Sequence, residues 1–223
     1  AGYGAVVFDL DGTLADTAID IHDALARSLA TESLPPVALG AVRLMIGGGP
    51  RLLVERALER LGRPAEGPQV ERLVDAFHTE YLGAANRKST LFPGAESALR
   101  NLHSSGVCIG LCSNKPDDLC RALLRNLGID QYFDEILGSS DSIPNKPDPA
   151  MLLAVIERLG VTPQDTLYVG DSETDITTAR AAGVPVMLVS YGYTLRKASQ
   201  LGADGVIDSL AELVGSGPFA RSA

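Results

Sequence analysis

Ala5-Val6-Val7-Phe8-Asp9-Leu10-Asp11-Gly12-Thr13 decides how the rest of this chain is read. The apolar run Ala5-Val6-Val7-Phe8 predicts a buried strand. Two acids spaced two positions apart then stand at its end. Neither belongs in a dry core, because an unpaired buried charge is costly. Gly12 lets the chain turn sharply out of the strand. The acids are therefore expected at the carboxyl edge of a sheet, where open α/β folds bind their ligands. A carboxylate there can attack phosphorus, and a second one can move protons. Asp11-Gly12 on its own is also a common turn signal, so the stretch takes its meaning from the remainder of the chain.

From Pro93 onward, helix and strand patterns alternate. Helices are expected at 95–104, 117–127, 148–159 and 173–182, with a short one at about 209–214. Between them lie strands at 107–112, 135–138, 166–169, 186–189 and 205–207. This rhythm predicts an α/β fold: a doubly wound, Rossmann-like parallel sheet with helices on both faces. The alternation is interrupted directly after the first strand. Helical apolar spacing occupies 17–31, 51–61 and 69–85, and a short helix runs from Pro35-Pro36 through Leu44. Residues 16–88 show no convincing strand and predict an all-helical cap domain inserted beside the edge that carries Asp9. The α/β core is then 1–15 together with 89–215, and 216–223 is expected to be a mobile tail.

The net charge of −9 over 223 residues argues against nucleic acid as a partner. It does not argue against an anionic substrate, since a local cluster of lysine, backbone N–H groups and a cation overrides the global sign. Three cysteines, Cys108, Cys112 and Cys120, suggest no disulfide framework. The three histidines are scattered, and no zinc-ligand spacing occurs. No apolar run reaches the length of a membrane span. The first residues lack the pattern of a signal peptide. A cytoplasmic enzyme, monomeric or homodimeric, is expected, with no membrane or nucleic-acid partner.

Three further polar clusters each end an apolar strand or precede a helix: Ser113-Asn114-Lys115, Asn145-Lys146-Pro147-Asp148, and Gly170-Asp171-Ser172-Glu173-Thr174-Asp175. Singly, each is ordinary: a helix N-cap, a loop lysine, a turn. Together and in this order they converge on one sheet edge with Asp9 and Asp11. The set resembles the haloacid dehalogenase superfamily. Asp9-Leu10-Asp11-Gly12-Thr13 matches its first motif, Ser113 the second, Lys146 the third, and Gly170-Asp171 with Asp175 the fourth. Within it the chain is similar to bacterial phosphoglycolate phosphatases, through Asp16-Thr17, Asp20-Ile21, Ile46-Gly47-Gly48-Gly49 and Ser190-Tyr191-Gly192-Tyr193. Many of those carry Thr where this chain has Ser113, which keeps the hydroxyl.

The resemblance implies a mechanism. Asp9 is the nucleophile and forms an aspartyl-phosphate; Asp11 is the general acid and base. Mg²⁺ is the cofactor, held by Asp9, the backbone carbonyl of Asp11, and Asp171. Lys146 supplies fixed positive charge to the phosphoryl group. Ser113, the Asn114 N–H and N–H groups of the turn through Gly12 bind phosphoryl oxygens. Asp175 orients Lys146 or a metal-bound water. The cap sets substrate choice by closing over the site. Gly48, amid Gly47-Gly48-Gly49, brings backbone close to a small ligand, and Arg51 beside it suits a substrate carboxylate. Asn114 and Lys115 are further candidates for substrate contact. The expected function is Mg²⁺-dependent hydrolysis of a small phosphorylated metabolite, 2-phosphoglycolate first. The alternatives are other small phosphates or pyrophosphate, and a sugar-phosphate mutase. The mutase branch carries a His where this chain has Ile21. A haloalkanoate dehalogenase lacks the second acid, Asp11. A phosphonate hydrolase needs a cap lysine, and residues 16–87 contain none.

Overall fold

The structure, a computed structural model, describes residues 2–83 and 88–215. The first strand, β1 (Ala5–Phe8), is fully buried. It leads into a two-residue strand, β2 (Ala15–Asp16). Four helices come next: α1 (Ala18–Thr31), α2 (Leu39–Arg43), α3 (Gly49–Arg60) and α4 (Pro68–Gly83). The chain returns through β3 (Thr90–Leu91), which pairs antiparallel with β2. Then come α5 (Ala95–Ser104), β4 (Cys108–Pro116), α6 (Asp117–Asn126), β5 (Glu135–Ser139) and α7 (Ala150–Leu159). The last elements are β6 (Thr166–Gly170), α8 (Glu173–Ala182), β7 (Val186–Val189), β8 (Gly205–Ile207) and α9 (Glu212–Gly215). The expected tail at 216–223 lies outside the described residues.

Six strands form one parallel sheet in the order β5-β4-β1-β6-β7-β8. Side chains alternate across the pleat. Val6 and Phe8 therefore join the apolar layer under α5 and α6, while Val7 joins the opposite layer under α7 and α8. Both faces are buried, which is why β1 reads as an unbroken apolar run. The chain winds outward from β1 in both directions, so β1 and its neighbours β4 and β6 sit at the switch point. Ligands of doubly wound sheets bind at the carboxyl ends of such strands.

The helical cap has an apolar core of its own, built from Leu25, Leu29, Val54, Leu58, Leu73 and Phe77 among others. One core residue, Leu119 of α6, joins that cluster and ties cap to sheet. Three features depart from the sequence reading. The β2–β3 ribbon binds the two linkers between cap and core, and a pair of two-residue strands carries no readable periodicity. The fourth strand runs on to Pro116 with a register shift after Cys112, so Ser113, Asn114 and Lys115 extend the strand past its apolar part. The helix expected from Pro35-Pro36 begins only at Leu39.

Candidate active site

Asp9 leaves the tip of β1 and lies 6 % exposed, with its backbone N–H donating to the Val169 carbonyl at 2.9 Å. Lys146 Nζ stands 3.0 Å from Asp9 Oδ1 and 2.8 Å from Asp175 Oδ1, and donates to the Tyr168 hydroxyl at 2.9 Å. An ammonium has three N–H donors, and here each has a partner. Burial works against the charge on Lys146, but Asp175 and Asp9 outweigh it and raise its pKa well above the usual lysine value. Asp175 is saturated as well. Its Oδ1 accepts from Lys146 and from Tyr168 at 3.0 Å; its Oδ2 accepts from the N–H groups of Asp171 and Ser172 and from the Ser172 hydroxyl at 2.7 Å. Burial pushes its carboxyl upward, yet Lys146 and these donors hold it below the ordinary range. The Ser172–Asp175 contacts are also a capping box that starts α8, so helix initiation and site assembly share the same atoms.

Asp171, at the end of β6, has fewer partners. It accepts from the Tyr193 N–H at 2.6 Å and from the Thr13 hydroxyl at 3.4 Å. Burial, then the negative charges of Asp175 and Asp9, push its pKa well above the carboxylate range. Asp9 is pushed up to about 7, chiefly by burial, against the pull of Lys146. Carboxylate oxygens of Asp9, Asp171 and Asp175 lie within 4.8 Å of one another. With Asp175 occupied by Lys146 and Ser172, the excess negative charge falls on Asp9 and Asp171. Two hard oxygen donors sharing uncompensated charge fit a divalent cation such as Mg²⁺, which takes few carboxylates and keeps several waters. Gly12 belongs to this region for a steric reason. It has φ +87°, and a Cβ there would stand 2.6 Å from Asp171 Oδ2. Its N–H donates to the Ala15 carbonyl at 3.0 Å rather than facing the site as expected.

Asp11 lies beside this cluster. Thr17 donates its hydroxyl to Asp11 Oδ1 at 2.7 Å, and Lys115 Nζ lies 3.1 and 3.2 Å from the two carboxylate oxygens. Ser113 is buried, and its hydroxyl accepts from the Lys115 N–H at 3.3 Å. The side chain of Asn114 is wholly committed: its amide donates to the carbonyls of Gly47 and Lys146, both at 2.9 Å, and its oxygen accepts from the Lys146 N–H at 2.8 Å. It clamps the cap loop to the Lys146 loop, so only its backbone remains for a ligand.

Between core and cap is a cavity of about 40 Å³, room for roughly three waters. Asp9, Asp11, Ser113 and Lys115 line its floor; Ile21, Leu53 and Phe77 contribute to its apolar roof. Gly47 and Gly49 line it, whereas Gly48 packs against Leu52. Arg51 is not among the lining residues. Its guanidinium is more than half exposed and pairs with Glu55 at 3.4 Å and with Glu71. The helix starts at Gly49, which carries Arg51 to the outer side. Three tyrosines belong to the site without a motif to announce them: Tyr168 beneath Lys146, Tyr193 against Asp171, and Tyr81 over Lys115. Tyr193 alone leaves a trace in the sequence, in the Ser190-Tyr191-Gly192-Tyr193 likeness.

Residues 3–183 match the family model of the haloacid dehalogenase-like hydrolases. The chain belongs to that family. A phosphoglycolate phosphatase of Rhodospirillum rubrum is 40% identical over 213 residues, covering 94% of this chain and 88% of that one. One from Cereibacter sphaeroides is 44% identical over 188 residues, 84% of this chain and 85% of the relative. Among solved structures, a predicted phosphoglycolate phosphatase from Haemophilus somnus superposes with a TM-score of 0.88 at 28% identity, covering 95% and 96% of the two chains. This haloacid dehalogenase-like hydrolase is thus an enzyme of the phosphatase type. No helix among its described residues is long and apolar enough to cross a membrane.

Proposed function

We propose that this hydrolase cleaves small phosphomonoesters, with 2-phosphoglycolate as substrate, through a phosphorylated Asp9. The observation that carries the reading is the pairing of Asp9 with Lys146 at 3.0 Å beside Asp171, with Asp11 on the cavity side of the same turn. Asp9 and Asp171, with the Asp11 carbonyl, would hold Mg²⁺, which when bound offsets the charge of Asp9 and of the phosphoryl oxygens. Asp9 attacks phosphorus and its oxygen becomes esterified while the bond to the leaving alkoxide breaks. Asp11 donates a proton to that alkoxide and later takes one from the water that hydrolyses the acyl phosphate. Lys146 keeps positive charge against the equatorial oxygens throughout; pinned by Asp175 and Tyr168, it needs no reorganisation at the moment of reaction. Ser113 contributes a hydroxyl to the same oxygens.

The small cavity and apolar roof favour a leaving group of a few atoms, and the named relatives point to glycolate. The test is a panel of phosphate esters, with and without Mg²⁺, ranked by kcat/KM. Metal-dependent turnover with 2-phosphoglycolate at the head is expected. A flat ranking would remove the substrate assignment, and absence of Mg²⁺-dependent phosphate release from every ester would remove the reaction.

A further inference from the structure

Lys115 and Tyr81 stand together at the join of cap and core. Lys115 projects from the extension of β4, and its side chain is only 5% exposed. It is the sole cationic side chain among the described residues lining the cavity. The other positive charges nearby are spent. Lys146 has three partners, Arg43 pairs with Asp16, Arg51 with Glu55 and Glu71, and Arg56 donates to the Met45 carbonyl. Among the described residues Lys115 has one charged partner, Asp11, and its Nζ lies 4.3 Å from the centre of the Tyr81 ring. Asp11 does not depend on Lys115 alone, because the Thr17 hydroxyl also donates to it at 2.7 Å.

Tyr81 comes from the last turn of α4, in the cap. Its hydroxyl is buried beside Lys115, and its proton has no acceptor among the described residues. Burial pushes that hydroxyl up to about 12, against the pull of Lys115, so it stays neutral and keeps a proton to donate. Buried polar groups in folded proteins are nearly always satisfied, and an exception calls for an explanation. A ligand that accepts a hydrogen bond supplies one.

Resting on the phosphatase reading, we infer that Lys115 and Tyr81 form a subsite for a second anionic group, a carboxylate on the leaving half of the phosphoester. Lys115, which lines the cavity, turns part of its donor set from Asp11 to that carboxylate, and Tyr81, which packs on Lys115 from outside the lining, donates its proton once the ligand is seated. The apolar walls strengthen the attraction, because a charge pair gains more where water is excluded. The two residues come from cap and core, so the subsite is complete only when the cap is closed. An ester lacking the carboxylate would leave the tyrosine hydroxyl unpaired, and a site built around hydrogen-bonding donors discriminates strongly against such an analogue.

The experiment compares 2-phosphoglycolate with n-propyl phosphate, an ester of similar size whose leaving group is uncharged and carries no second hydrogen-bonding group. Both are assayed with Mg²⁺ on the intact enzyme and on Lys115→Met, Lys115→Arg and Tyr81→Phe variants. The intact enzyme should favour the carboxylate ester in kcat/KM by at least about tenfold. Lys115→Met should collapse that ratio towards one, mainly through KM for 2-phosphoglycolate. Lys115→Arg should restore part of it, and Tyr81→Phe should lower it several-fold while removing only one oxygen from the fold. A ratio unchanged in both Lys115→Met and Tyr81→Phe, with the two esters losing rate equally, would overturn the subsite and leave Lys115 as a partner of Asp11 only. Equal kcat/KM for the two esters in the intact enzyme would overturn it as well. Failure of the intact enzyme to hydrolyse either ester would instead sink the phosphatase reading beneath it.

Discussion

At the scale of single residues, the site is a set of charges that are costly apart and tolerable together. Lys146 compensates the charge of Asp175 and also contacts Asp9, all three buried. Replacing it by Met leaves the buried Asp175 carboxylate without its cation and Asp9 without its donor. Breaking a buried ion pair from one side costs about 3–5 kcal/mol. Lys146→Met is therefore expected to lose turnover and also to shift the urea unfolding midpoint strongly; an unshifted midpoint would show that the pair is not holding the core. Asp9→Asn keeps the shape of the side chain but removes the carboxylate that the proposed reaction uses as nucleophile. Its turnover should fall by about 10⁴-fold or more with an unchanged circular dichroism spectrum, as removal of a nucleophile does elsewhere. Asp9, Asp11, Lys146 and Asp171 are legible in the sequence because each polar residue ends an apolar strand or precedes a helix, against the local pattern. Tyr168 and Tyr81 are not legible. A tyrosine on an apolar stripe reads as core until the position of its hydroxyl is known.

At the scale of elements, the linkers between cap and core are held by contacts no local pattern announces. The Tyr193 hydroxyl donates to Asp16 Oδ1 at 2.5 Å and accepts from the N–H groups of Thr17 and Ala18 at 2.8 and 3.1 Å, so it serves the start of α1. Its own backbone N–H meets Asp171. Beside it, a Cβ on Gly192 would stand 2.2 Å from Asp171 Cβ, so only glycine fits there. The return linker is fixed by Asp20, which accepts from the Ser89 hydroxyl at 2.5 Å and from the N–H groups of Lys88 and Ser89. Tyr193→Phe removes the acceptor of the buried Thr17 N–H and leaves the Ala18 N–H only Asp16 Oδ1 at 3.3 Å, a loss of about 1–3 kcal/mol for a group left unsatisfied. The amides of Thr17 and Ala18 should exchange with deuterium faster in that variant, while those of β1 keep their protection. Equal exchange in both proteins would mean that water or Asp16 replaces the hydroxyl without cost.

At the scale of the whole molecule, the acid cluster sets how stability varies with pH. In the folded, metal-free protein Asp9 keeps its proton up to about pH 7, against an ordinary value of 3.8. The folded state therefore binds more protons than the unfolded chain across that window, and stability falls as pH rises through it. The contribution is complete below the ordinary value and lost by the time folded Asp9 ionises. Asp171 is shifted in the same direction, and Asp175 in the opposite one, which matters only at pH below its ordinary value of 3.8. Metal-free protein is expected to melt at a lower temperature at about pH 8 than at about pH 5.5. Millimolar Mg²⁺ should raise the melting temperature more at the higher pH, because it binds the ionised carboxylates. A Mg²⁺ effect independent of pH would contradict this. The α/β class, the inserted helical cap and the acids at strand tips were determined by the sequence alone, because apolar period and turn chemistry are local. Only the tertiary structure decided which polar groups were already spoken for. Arg51 goes to Glu71, the Asn114 amide to Gly47 and Lys146, the Gly12 N–H to Ala15, while the Tyr81 hydroxyl proton finds no acceptor among the described residues. The physical reason is that hydrogen bonds and charge pairs are settled by distance in space. Lys115 and Asp11 lie 104 positions apart in the chain and about 3 Å apart in the fold.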